Sequence, residues 1–408
     1  MQKIKVPASK SVLNRVLMIA SIMDTQLSIQ NYSQATDIKT LTNALRQLGF
    51  SIDINDGKAI ITPPLNLNSE ITCNITDSAT GFRFLLARLA AAQKGKYLLH
   101  ASHQLQKRPM QPLLNALRTL GASIDSQRFP YVINAQKLSG GKILVDTCLS
   151  SQFTSALLLI APLCKESLQL DLTGSRVSWN YVMMTIALMR KFSIKVTVLN
   201  DSIIINAPQK PAALTEISIE PDYSAAAYFW AMAASHDLSV SINGSRIDST
   251  QPDAKFPEIL EQMGATITDL DSNTIVTRNK LKGIEVNMSQ MPDQVPTLAV
   301  LALLATTPTK ITGVEHLQYK ESNRIKALLT EFQRINAKAN YKNGILTINP
   351  LNANPGAVTI TTHHDHRLAM AFSILKLHYP QIRIDNPSVV NKSFPSFWEQ
   401  FQIIKDIE

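Results

Sequence analysis

The chain has 408 residues, of which 45% are hydrophobic and 17% charged, so it is predicted to fold into about two or three domains rather than stay disordered. Its three cysteines lack the number and spacing of a disulfide framework or a metal site, which indicates a reducing, cytoplasmic compartment. The net charge of +9 favours an acidic partner. Because Lys and Arg form no long block, we expect small anions rather than nucleic acid.

The N-terminal segment, residues 1–6, alternates like a strand and lacks the apolar stretch of a signal peptide. The longest apolar run, residues 298–305, falls far short of the roughly 18 residues that a membrane span needs. We therefore expect a soluble protein with no membrane partner.

Six predicted apolar helices carry hydroxyl, amide or basic side chains at their openings. A helix N-terminus presents unpaired N–H groups and a partial positive charge, so it holds anions well. The pattern predicts a small ligand with several negative charges, although each opening alone could be a capped surface helix. The openings are Lys10-Ser11 with Arg15, Thr80 with Arg83, Ser150-Ser151-Gln152, Lys320-Glu321 with Arg324, His366-Arg367 and Lys392-Ser393.

A repeat runs along the whole chain. Each copy consists of an amphipathic helix, a Gly- or Asn-type cap and an alternating strand, and in the first copy residues 55–57 form the turn of a predicted hairpin. A constant period predicts a repeated supersecondary unit, here six units in two domains of three. The helix ends that mark the period are Leu48, Leu120, Phe192, Met263 and Ile335, spaced by 72, 72, 71 and 72 residues. The sixth unit would end in a helix over residues 397–401 with no strand after it.

The domain boundary is predicted between residues 208 and 221, where prolines break the pattern. The strand at residues 1–6 precedes the first unit's helix and could pair with the C-terminal half. We therefore expect one domain at residues 9–219 and a second at residues 1–8 plus 220–408. A cleft between two domains is a common place for a small-molecule site.

Two segments of the first half add candidate ligand contacts. Arg108 precedes Pro109, which we expect to begin a helix and so to aim the guanidinium at an anion. Ser178 and Tyr181 lie one turn apart and offer hydroxyls to a sugar-like ligand, although Tyr181 could equally be a core tyrosine.

The second half holds titratable residues at its helix openings. Asp293 directly precedes an apolar helix, where it could be a plain N-cap, and Glu321 with Arg324 could be a solvated ion pair. Residues 363–367 include three histidines, but the arginine among them and the lack of a second ligand segment argue against a metal. Arg367 at a helix start is better suited to bind a carboxylate.

Taken in order, these segments resemble the enolpyruvyl transferases, and most closely the 5-enolpyruvylshikimate-3-phosphate synthases (3-phosphoshikimate 1-carboxyvinyltransferases). The segments that carry the resemblance are residues 7–11 with Arg15, residues 150–152, Lys320-Glu321 with Arg324, and residues 365–370. The resemblance implies an α/β (α+β) fold, a two-domain inside-out α/β barrel of six βαβαββ repeats. It also implies a monomer without cofactor or metal.

The implied reaction moves the enolpyruvyl group of phosphoenolpyruvate to the 5-hydroxyl of shikimate 3-phosphate through a tetrahedral ketal, with release of phosphate. This is the sixth step of chorismate biosynthesis. By resemblance, shikimate 3-phosphate would contact Lys10, Ser11, Arg15, Ser150, Ser151, Gln152, Ser178, Tyr181, Asp293 and Lys320. Phosphoenolpyruvate would contact Lys10, Ala79, Arg83, Arg108, Gln152, Arg324, Arg367 and Lys392. Proton transfer would fall to Asp293 and Lys320, with Glu321 and His366 close by. The first domain would mainly bind shikimate 3-phosphate, and the second phosphoenolpyruvate.

Three positions depart from the commonest pattern of the family. Ala79 stands where many members have Gly, and its methyl group should crowd the inhibitor glyphosate more than phosphoenolpyruvate, so weak inhibition is expected. Asp77 stands where Asn is usual, and a carboxylate beside bound anions is unfavourable. His316 also replaces an Asn, so its role is open.

Two rival interpretations remain. The sister enzymes that transfer enolpyruvyl to UDP-N-acetylglucosamine share the fold, but typically have Lys-Asn near the first helix and a Cys acid in a loop. Here Lys10-Ser11 and Arg108, with no Cys between Cys73 and Cys148, favour the shikimate enzymes. An RNA-binding protein is the other rival, because RNA 3′-phosphate cyclases share this kind of repeat.

Overall fold

The computed structural model describes residues 1–270 and 273–405. The chain divides into two compact units, which we call the N-terminal lobe (Lys10–Ile219) and the C-terminal lobe (Met1–Ser9 and the chain from Glu220 onward). The predicted boundary places residue 9 in the first domain, whereas Ser9 groups with the C-terminal lobe. Its backbone N–H donates to the Glu220 carbonyl at 2.9 Å.

In the N-terminal lobe, seven α-helices, one 3₁₀ helix (Ala161–Leu163) and twelve strands lie within the described residues. The helices are α1 (Lys10–Ala20), α2 (Thr36–Gln47), α3 (Ala79–Ala90), α4 (His103–Gln106), α5 (Gln111–Thr119), α6 (Ser151–Ile160) and α7 (Trp179–Lys191). Numbering of the strands starts with β1 (Gln2–Ile4), which belongs to the C-terminal lobe. The N-terminal lobe has β2 (Leu27–Gln30), β3 (Ser51–Asn55), β4 (Lys58–Thr62), β5 (Glu70–Ile75), β6 (Lys94–Ala101), β7 (Ser123–Asp125), β8 (Tyr131–Gln136), β9 (Gly141–Asp146), β10 (Leu168–Thr173), β11 (Val196–Val198), β12 (Ser202–Ile205) and β13 (Glu216–Ser218).

The C-terminal lobe contains helices of both α and 3₁₀ type. Its α-helices are α8 (Tyr223–Ser235), α9 (Phe256–Met263), α10 (Val295–Ala302), α11 (Arg324–Arg334), α12 (His366–His378) and α13 (Phe397–Lys405). Short 3₁₀ helices cover Pro252–Lys255, Pro292–Gln294, Glu315–Tyr319 and Pro387–Lys392. Besides β1, its strands are β14 (Ser239–Asn243), β15 (Thr266–Leu270), β16 (Asn273–Thr277), β17 (Glu285–Asn287), β18 (Thr309–Thr312), β19 (Ala339–Lys342), β20 (Ile345–Ile348), β21 (Thr359–Ile360) and β22 (Arg383–Ile384).

The sheets repeat one topology. The four-stranded sheets have the orders β13-β2-β4-β3, β5-β6-β8-β7, β9-β10-β12-β11, β1-β14-β16-β15 and β17-β18-β20-β19. In each, the first two strands pair in parallel and the last two form an antiparallel hairpin. In the sheets that begin with β5, β9 and β17, one helix connects the parallel strands, and in all five sheets a helix precedes the hairpin, which gives the βαβαββ unit. The mixed α/β fold of repeated units is confirmed.

The sixth unit is shorter than the βαβαββ pattern, and the prediction that it ends in a helix with no strand after it is confirmed for the described residues. Within the described residues, β21 pairs in parallel with β22, and α13 follows with no hairpin after it. Aromatic side chains of this last segment pack into the core of the lobe: the Phe397 ring lies 5.4 Å from the Phe229 ring, and Phe394 and Phe401 are also buried. The repeat is therefore five complete units and one truncated unit.

The two lobes exchange one strand each along the chain. β1 precedes α1 in sequence but completes the sheet of β14 in the C-terminal lobe. β13 follows the last hairpin of the N-terminal lobe and completes the sheet of β2, whose unit otherwise lacks a first strand. Chain segments at residues 9–10 and 219–220 therefore connect the two lobes.

The helix that precedes the second strand of each parallel pair lies in the core of its lobe. All residues of α10 are buried, as are all but one residue of α3, α6 and α8. The helices before the hairpins bury only one face, as their amphipathic pattern requires. Polar residues at the N-terminus of a core helix therefore lie at the edge of the hydrophobic core. Among the described residues, no helix combines the length and apolar character needed to cross a membrane.

Candidate active site

Arg83, one turn into α3, faces the opening of α6. Its Nη1 donates to Gln152 Oε1 at 2.6 Å and lies 3.5 Å from Ser150 Oγ, and its Nη2 donates to the Pro109 carbonyl at 2.8 Å. The guanidinium lies over the Phe153 ring, 4.7 Å from the centroid. The structure therefore brings three predicted residues, Arg83, Gln152 and Ser150, into one cluster.

Arg15, one turn into α1, is a buried cation held by neutral groups. Its Nε donates to Thr185 Oγ1 at 2.7 Å, and its Nη1 donates to the Ser11 carbonyl at 2.8 Å. Nη2 donates to the Tyr181 carbonyl at 3.1 Å and lies 3.4 Å from Ser155 Oγ. Burial lowers the pKa of Arg15 to about 10, so the side chain still carries its charge at neutral pH.

The N-termini of α1, α3 and α6 consist of predicted residues and their caps. Lys10, the first residue of α1, donates to Asp37 Oδ2 at 2.8 Å. Ser78 caps α3, which makes Ala79 its first residue, and Ser150 caps α6, whose first residue is Ser151. These caps explain why the helices begin where the sequence predicts.

Ser178 and Tyr181 lie at the opening of α7. Ser178 occupies the capping position with a left-handed φ of +54° and is buried. Tyr181 is half-buried, and its carbonyl also accepts from Thr185 Oγ1 at 2.9 Å. Its backbone thus supports Arg15, which the sequence did not indicate.

One helix prediction near Arg108 was wrong. Pro109 does not begin a helix, because α5 starts at Gln111 after the capping position Met110. Arg108 is half-buried in the loop between α4 and α5.

The sequence leaves the role of Asp77 open. Its carboxylate accepts a hydrogen bond from the Ser102 hydroxyl.

Asp293 is the centre of the C-terminal-lobe cluster. Its Oδ2 accepts from Arg367 Nη2 at 2.6 Å, its Oδ1 accepts from Arg324 Nη1 at 3.1 Å, and Lys320 Nζ lies 3.8 Å from Oδ1. The interpretation as a plain N-cap is wrong, since the cap of α10 is Gln294 and no side chain caps it. Asp293 is therefore a carboxylate paired with three cations.

Arg324, the first residue of α11, holds two more carboxylates. Its Nη2 donates to Glu321 Oε2 at 2.8 Å and its Nε donates to Asp365 Oδ2 at 2.8 Å. Its side chain is only 1% exposed, and that of Asp365 is fully buried, so the solvated-ion-pair interpretation of Glu321 with Arg324 is also wrong. Asp365 is in addition the cap of α12, where Oδ1 accepts from the Arg367 N–H at 3.0 Å.

Lys392 lies in the same cluster, but it does not lie at a helix N-terminus as predicted. The pair Lys392-Ser393 does not open a helix, because Lys392 ends the 3₁₀ helix that begins at Pro387, and α13 starts only at Phe397. Its Nζ lies 3.5 Å from Glu321 Oε1. The predicted helix start is therefore wrong, and the contact of Lys392 with phosphoenolpyruvate stays a prediction.

A family model described as EPSP synthase (3-phosphoshikimate 1-carboxyvinyltransferase) matches residues 1–401. The 3-phosphoshikimate 1-carboxyvinyltransferase of Syntrophobacter fumaroxidans is 36% identical over 99% of this chain and 97% of its own length. The enzyme of the same name from Buchnera aphidicola subsp. Cinara cedri is 34% identical over 98% of this chain and 94% of its own length. The chain belongs to the EPSP synthase family.

Solved structures agree with this assignment. EPSP synthase from Acinetobacter baumannii superimposes with a TM-score of 0.81 at 25% identity, covering 98% of this chain and 95% of that one. The enolpyruvyl transferase NikO from Streptomyces tendae, at 15% identity, has a TM-score of 0.77 over 98% of this chain and 94% of its own, which shows a shared fold. The resemblance to enolpyruvyl transferases is confirmed.

The charges of this EPSP synthase family member perturb each other strongly. Burial works against ionisation of Asp293, but the positive charges of Arg367, Lys320 and Arg324 outweigh it and hold the pKa of Asp293 well below its usual range. Burial also opposes the charge of Arg324, whereas Asp365, Glu321 and Asp293 raise the pKa of Arg324 above its ordinary value. Asp293 and Arg324 are therefore both ionised at neutral pH.

Two buried histidines adjoin this cluster. Burial, followed by the charge of Lys320, lowers the pKa of His316 to about 3, so this imidazole is neutral at physiological pH. His366, the first residue of α12, is buried with its Nδ1 3.7 Å from Asp365 Oδ1. His316 is therefore close enough to Lys320 to be affected by its charge, whereas His366 lies next to Asp365.

Several residues of the clusters were missed by the sequence analysis. Thr185 and Ser155 follow Tyr181 and Ser151 by one helical turn, a spacing that could have indicated them. Asp365 was quoted in a motif without a role. Nothing in the sequence near Lys10 indicates Asp37, and nothing near Asp293 indicates the buried carboxylate of Asp253.

Asp253 lies in the 3₁₀ helix before α9. Its Oδ2 accepts from Gln294 Nε2 at 3.0 Å and from the Ser224 hydroxyl. Burial, and then the negative charge of Asp293, raise the pKa of Asp253 to about 6. Asp293 stays ionised, whereas Asp253 takes up a proton as the pH falls through about 6.

Proposed function

We propose that this protein transfers the enolpyruvyl group of phosphoenolpyruvate to the 5-hydroxyl of shikimate 3-phosphate and releases phosphate, as a step of aromatic amino acid biosynthesis. Membership of the EPSP synthase family supports this, and so does the arrangement around Asp293. The observation that carries the proposal is the Asp293 carboxylate with Lys320, Arg324 and Arg367 within 3.8 Å. An acid, a base and two anion-binding forks lie within one cluster.

Substrate binding requires many cations. Shikimate 3-phosphate and phosphoenolpyruvate together bring two phosphates and two carboxylates, which offers a reason for the net charge of +9. The residues proposed for shikimate 3-phosphate are Lys10, Ser11, Arg15, Ser150, Ser151, Gln152, Ser178, Tyr181, Asp293 and Lys320. Those proposed for phosphoenolpyruvate are Lys10, Ala79, Arg83, Arg108, Gln152, Arg324, Arg367 and Lys392. A common reaction centre for both groups stays a prediction.

The chemistry needs one group that takes a proton and one that gives it. As the substrate hydroxyl attacks C2 of the enol, its proton leaves and C3 gains one; elimination of phosphate from the ketal then reverses the roles. Lys320 Nζ and Asp293 lie 3.8 Å apart, close enough to share this work, with Glu321 and His366 as neighbours. An anion bound to Arg367 and Arg324 would offset their charge, raise the pKa of Asp293 and so make it a better base.

The test is release of inorganic phosphate from phosphoenolpyruvate, measured with shikimate 3-phosphate, with UDP-N-acetylglucosamine and with neither. Phosphate should appear only with shikimate 3-phosphate; release that depends on the UDP-sugar would move the protein to the sister enzymes. A salt-titrated RNA binding assay would address the RNA-binding rival. We expect the enzyme to be cytoplasmic and monomeric. Analytical sedimentation would check the monomeric state.

Replacing Lys320 by Met removes the ammonium but keeps the length of the side chain. Turnover should fall by about 10²–10⁴-fold, the usual contribution of a general acid–base group. The fold should survive, because Lys320 Nζ is the most distant cation at Asp293. Circular dichroism and the melting temperature serve as controls, and full activity in a folded variant would remove Lys320 from the mechanism.

A further inference from the structure

Helix α11 carries a second buried charge that the proposed reaction does not use. Glu331 lies seven residues after Arg324, about two turns along the same face of the helix. Its side chain is fully buried. A carboxylate tolerates such burial only where donors satisfy its oxygens.

The donors to Glu331 all come from, or lie against, the segment that leads into α12. Oε1 lies 2.8 Å from His363 Nε2, and Oε2 accepts from the Thr361 N–H at 3.0 Å. Arg334 Nη1, 3.4 Å from Oε2, also donates to Thr361 Oγ1 at 2.7 Å and lies 3.5 Å from the Thr359 carbonyl. Glu331 thus fastens residues 359–363 to α11.

The backbone of this segment is strained at two successive residues. His363 and His364 have φ values of +50° and +55°, the left-handed region that residues with a Cβ atom adopt at a cost. Such conformations persist where the surroundings fix them. The next residue is Asp365, which caps α12 and holds Arg324 by its Oδ2. The turn therefore decides where Asp365 and the start of α12, with Arg367, lie.

We propose that Glu331 and His363 form a clamp that fixes the left-handed turn and thereby positions Arg367 and Arg324 for the carboxylate of phosphoenolpyruvate. The inference rests on the proposed function for the identity of that ligand. Both are positioning residues, since they act on the substrate through the backbone of residues 361–367. Arg324 at one end of α11 and Glu331 near the other grip the same segment at two points.

The first test compares two substitutions at one position. H363A and H363G both remove the imidazole, but only Ala keeps the cost of the left-handed conformation. H363A should raise the KM for phosphoenolpyruvate about tenfold, the equivalent of one strained residue, and leave the KM for shikimate 3-phosphate within about twofold. H363G should stay within about threefold of the wild type in both constants. A role in stability alone would lower the melting temperature without separating the two KM values.

The second test removes the charge of the clamp. E331Q should raise the KM for phosphoenolpyruvate. Compared with the wild type, hydrogen exchange should become faster in residues 361–367, and the increase there should be larger than in the rest of the lobe. The matched control is Q333A, an exposed position two residues further along α11, which should change neither quantity. If E331Q does not fold, the pair at His363 still decides.

Equal KM values for phosphoenolpyruvate in wild type, H363A and H363G would overturn the clamp, as would unchanged exchange of residues 361–367 in folded E331Q. Failure of the proposed function looks different: the wild type itself would release no phosphate. The exchange measurement on E331Q needs no substrate, so it tests the clamp in either case.

Discussion

Arg15 and Arg324 are both buried, yet the two lobes treat them in opposite ways. Arg324 is paired with three carboxylates, which raise its pKa above the ordinary value despite burial. Within the described residues, the hydrogen-bond partners of Arg15 are hydroxyls and carbonyls, and burial lowers its pKa to about 10. One cation is neutralised by the protein and the other is not.

This difference assigns different tasks to the two openings. A buried guanidinium without a carboxylate keeps its positive charge available to an anionic ligand, as a binding site for a phosphate or carboxylate requires. A guanidinium surrounded by carboxylates fixes their positions, and a bound anion changes their proton affinity. Under the proposed function, the α1 opening of the N-terminal lobe would serve binding, and the C-terminal-lobe cluster would serve binding coupled with proton transfer.

The largest expected effect comes from R324M. This change leaves Asp365 and Glu321 without their buried cation, so the free energy of unfolding should fall by about 3–5 kcal/mol. Urea unfolding followed by circular dichroism measures it. A loss below about 1 kcal/mol would show that the buried charges are solvated or paired elsewhere, and the contrast with Arg15 would disappear.

R15M should behave differently, because its neutral partners lose hydrogen bonds but no charge is orphaned. We expect the free energy of unfolding to change by no more than about 1–2 kcal/mol. The KM for shikimate 3-phosphate should rise about 10–100-fold, since a charge-assisted contact is lost. Steady-state kinetics with each substrate varied in turn gives the comparison; an equal rise in the KM for phosphoenolpyruvate would argue that Arg15 does not act on one ligand.

Asp253 sharpens the contrast within the C-terminal lobe, because it is a buried carboxylate with a raised pKa. A folded-state pKa of about 6 against an ordinary value of 3.8 means that the folded protein binds this proton more tightly than the unfolded chain does. Asp253 therefore contributes stability that is fully present below about pH 4 and is lost as the pH rises to about 6.

The variant D253N should remove this pH dependence. The free energy of unfolding of the wild type minus that of D253N, measured from pH 4 to 7, should decrease as the pH rises. Asp293, whose pKa is lowered, has the opposite slope at acid pH, and taking the difference between the two proteins cancels it. A flat difference would place the Asp253 pKa at its ordinary value.

Local signals predicted the helix starts well and the long-range pairing poorly. The openings of α1, α3, α6, α11 and α12 could be predicted because a cap and a first apolar turn are adjacent in sequence. Lys392 was assigned to a helix start because nothing local distinguishes a 3₁₀ helix from the first turn of an α-helix. Partners such as Asp365 for Arg324, 41 residues away, depend on how units pack. For the same reason the solvated interpretation of Glu321 failed.

The smallest change with a measurable consequence is A79G. Ala79 is the first residue of α3 and is buried, so its methyl group limits space at this opening rather than charge. Weak inhibition by glyphosate is predicted for the wild type, and A79G should lower the inhibition constant about tenfold, the low end of what one methyl group contributes in a shaped pocket. The KM for phosphoenolpyruvate should change less than the inhibition constant, because the substrate is shorter. Potent inhibition of the wild type, or equal inhibition of both proteins, would show that the methyl group does not meet the inhibitor, and selectivity at this opening would then have to come from charge.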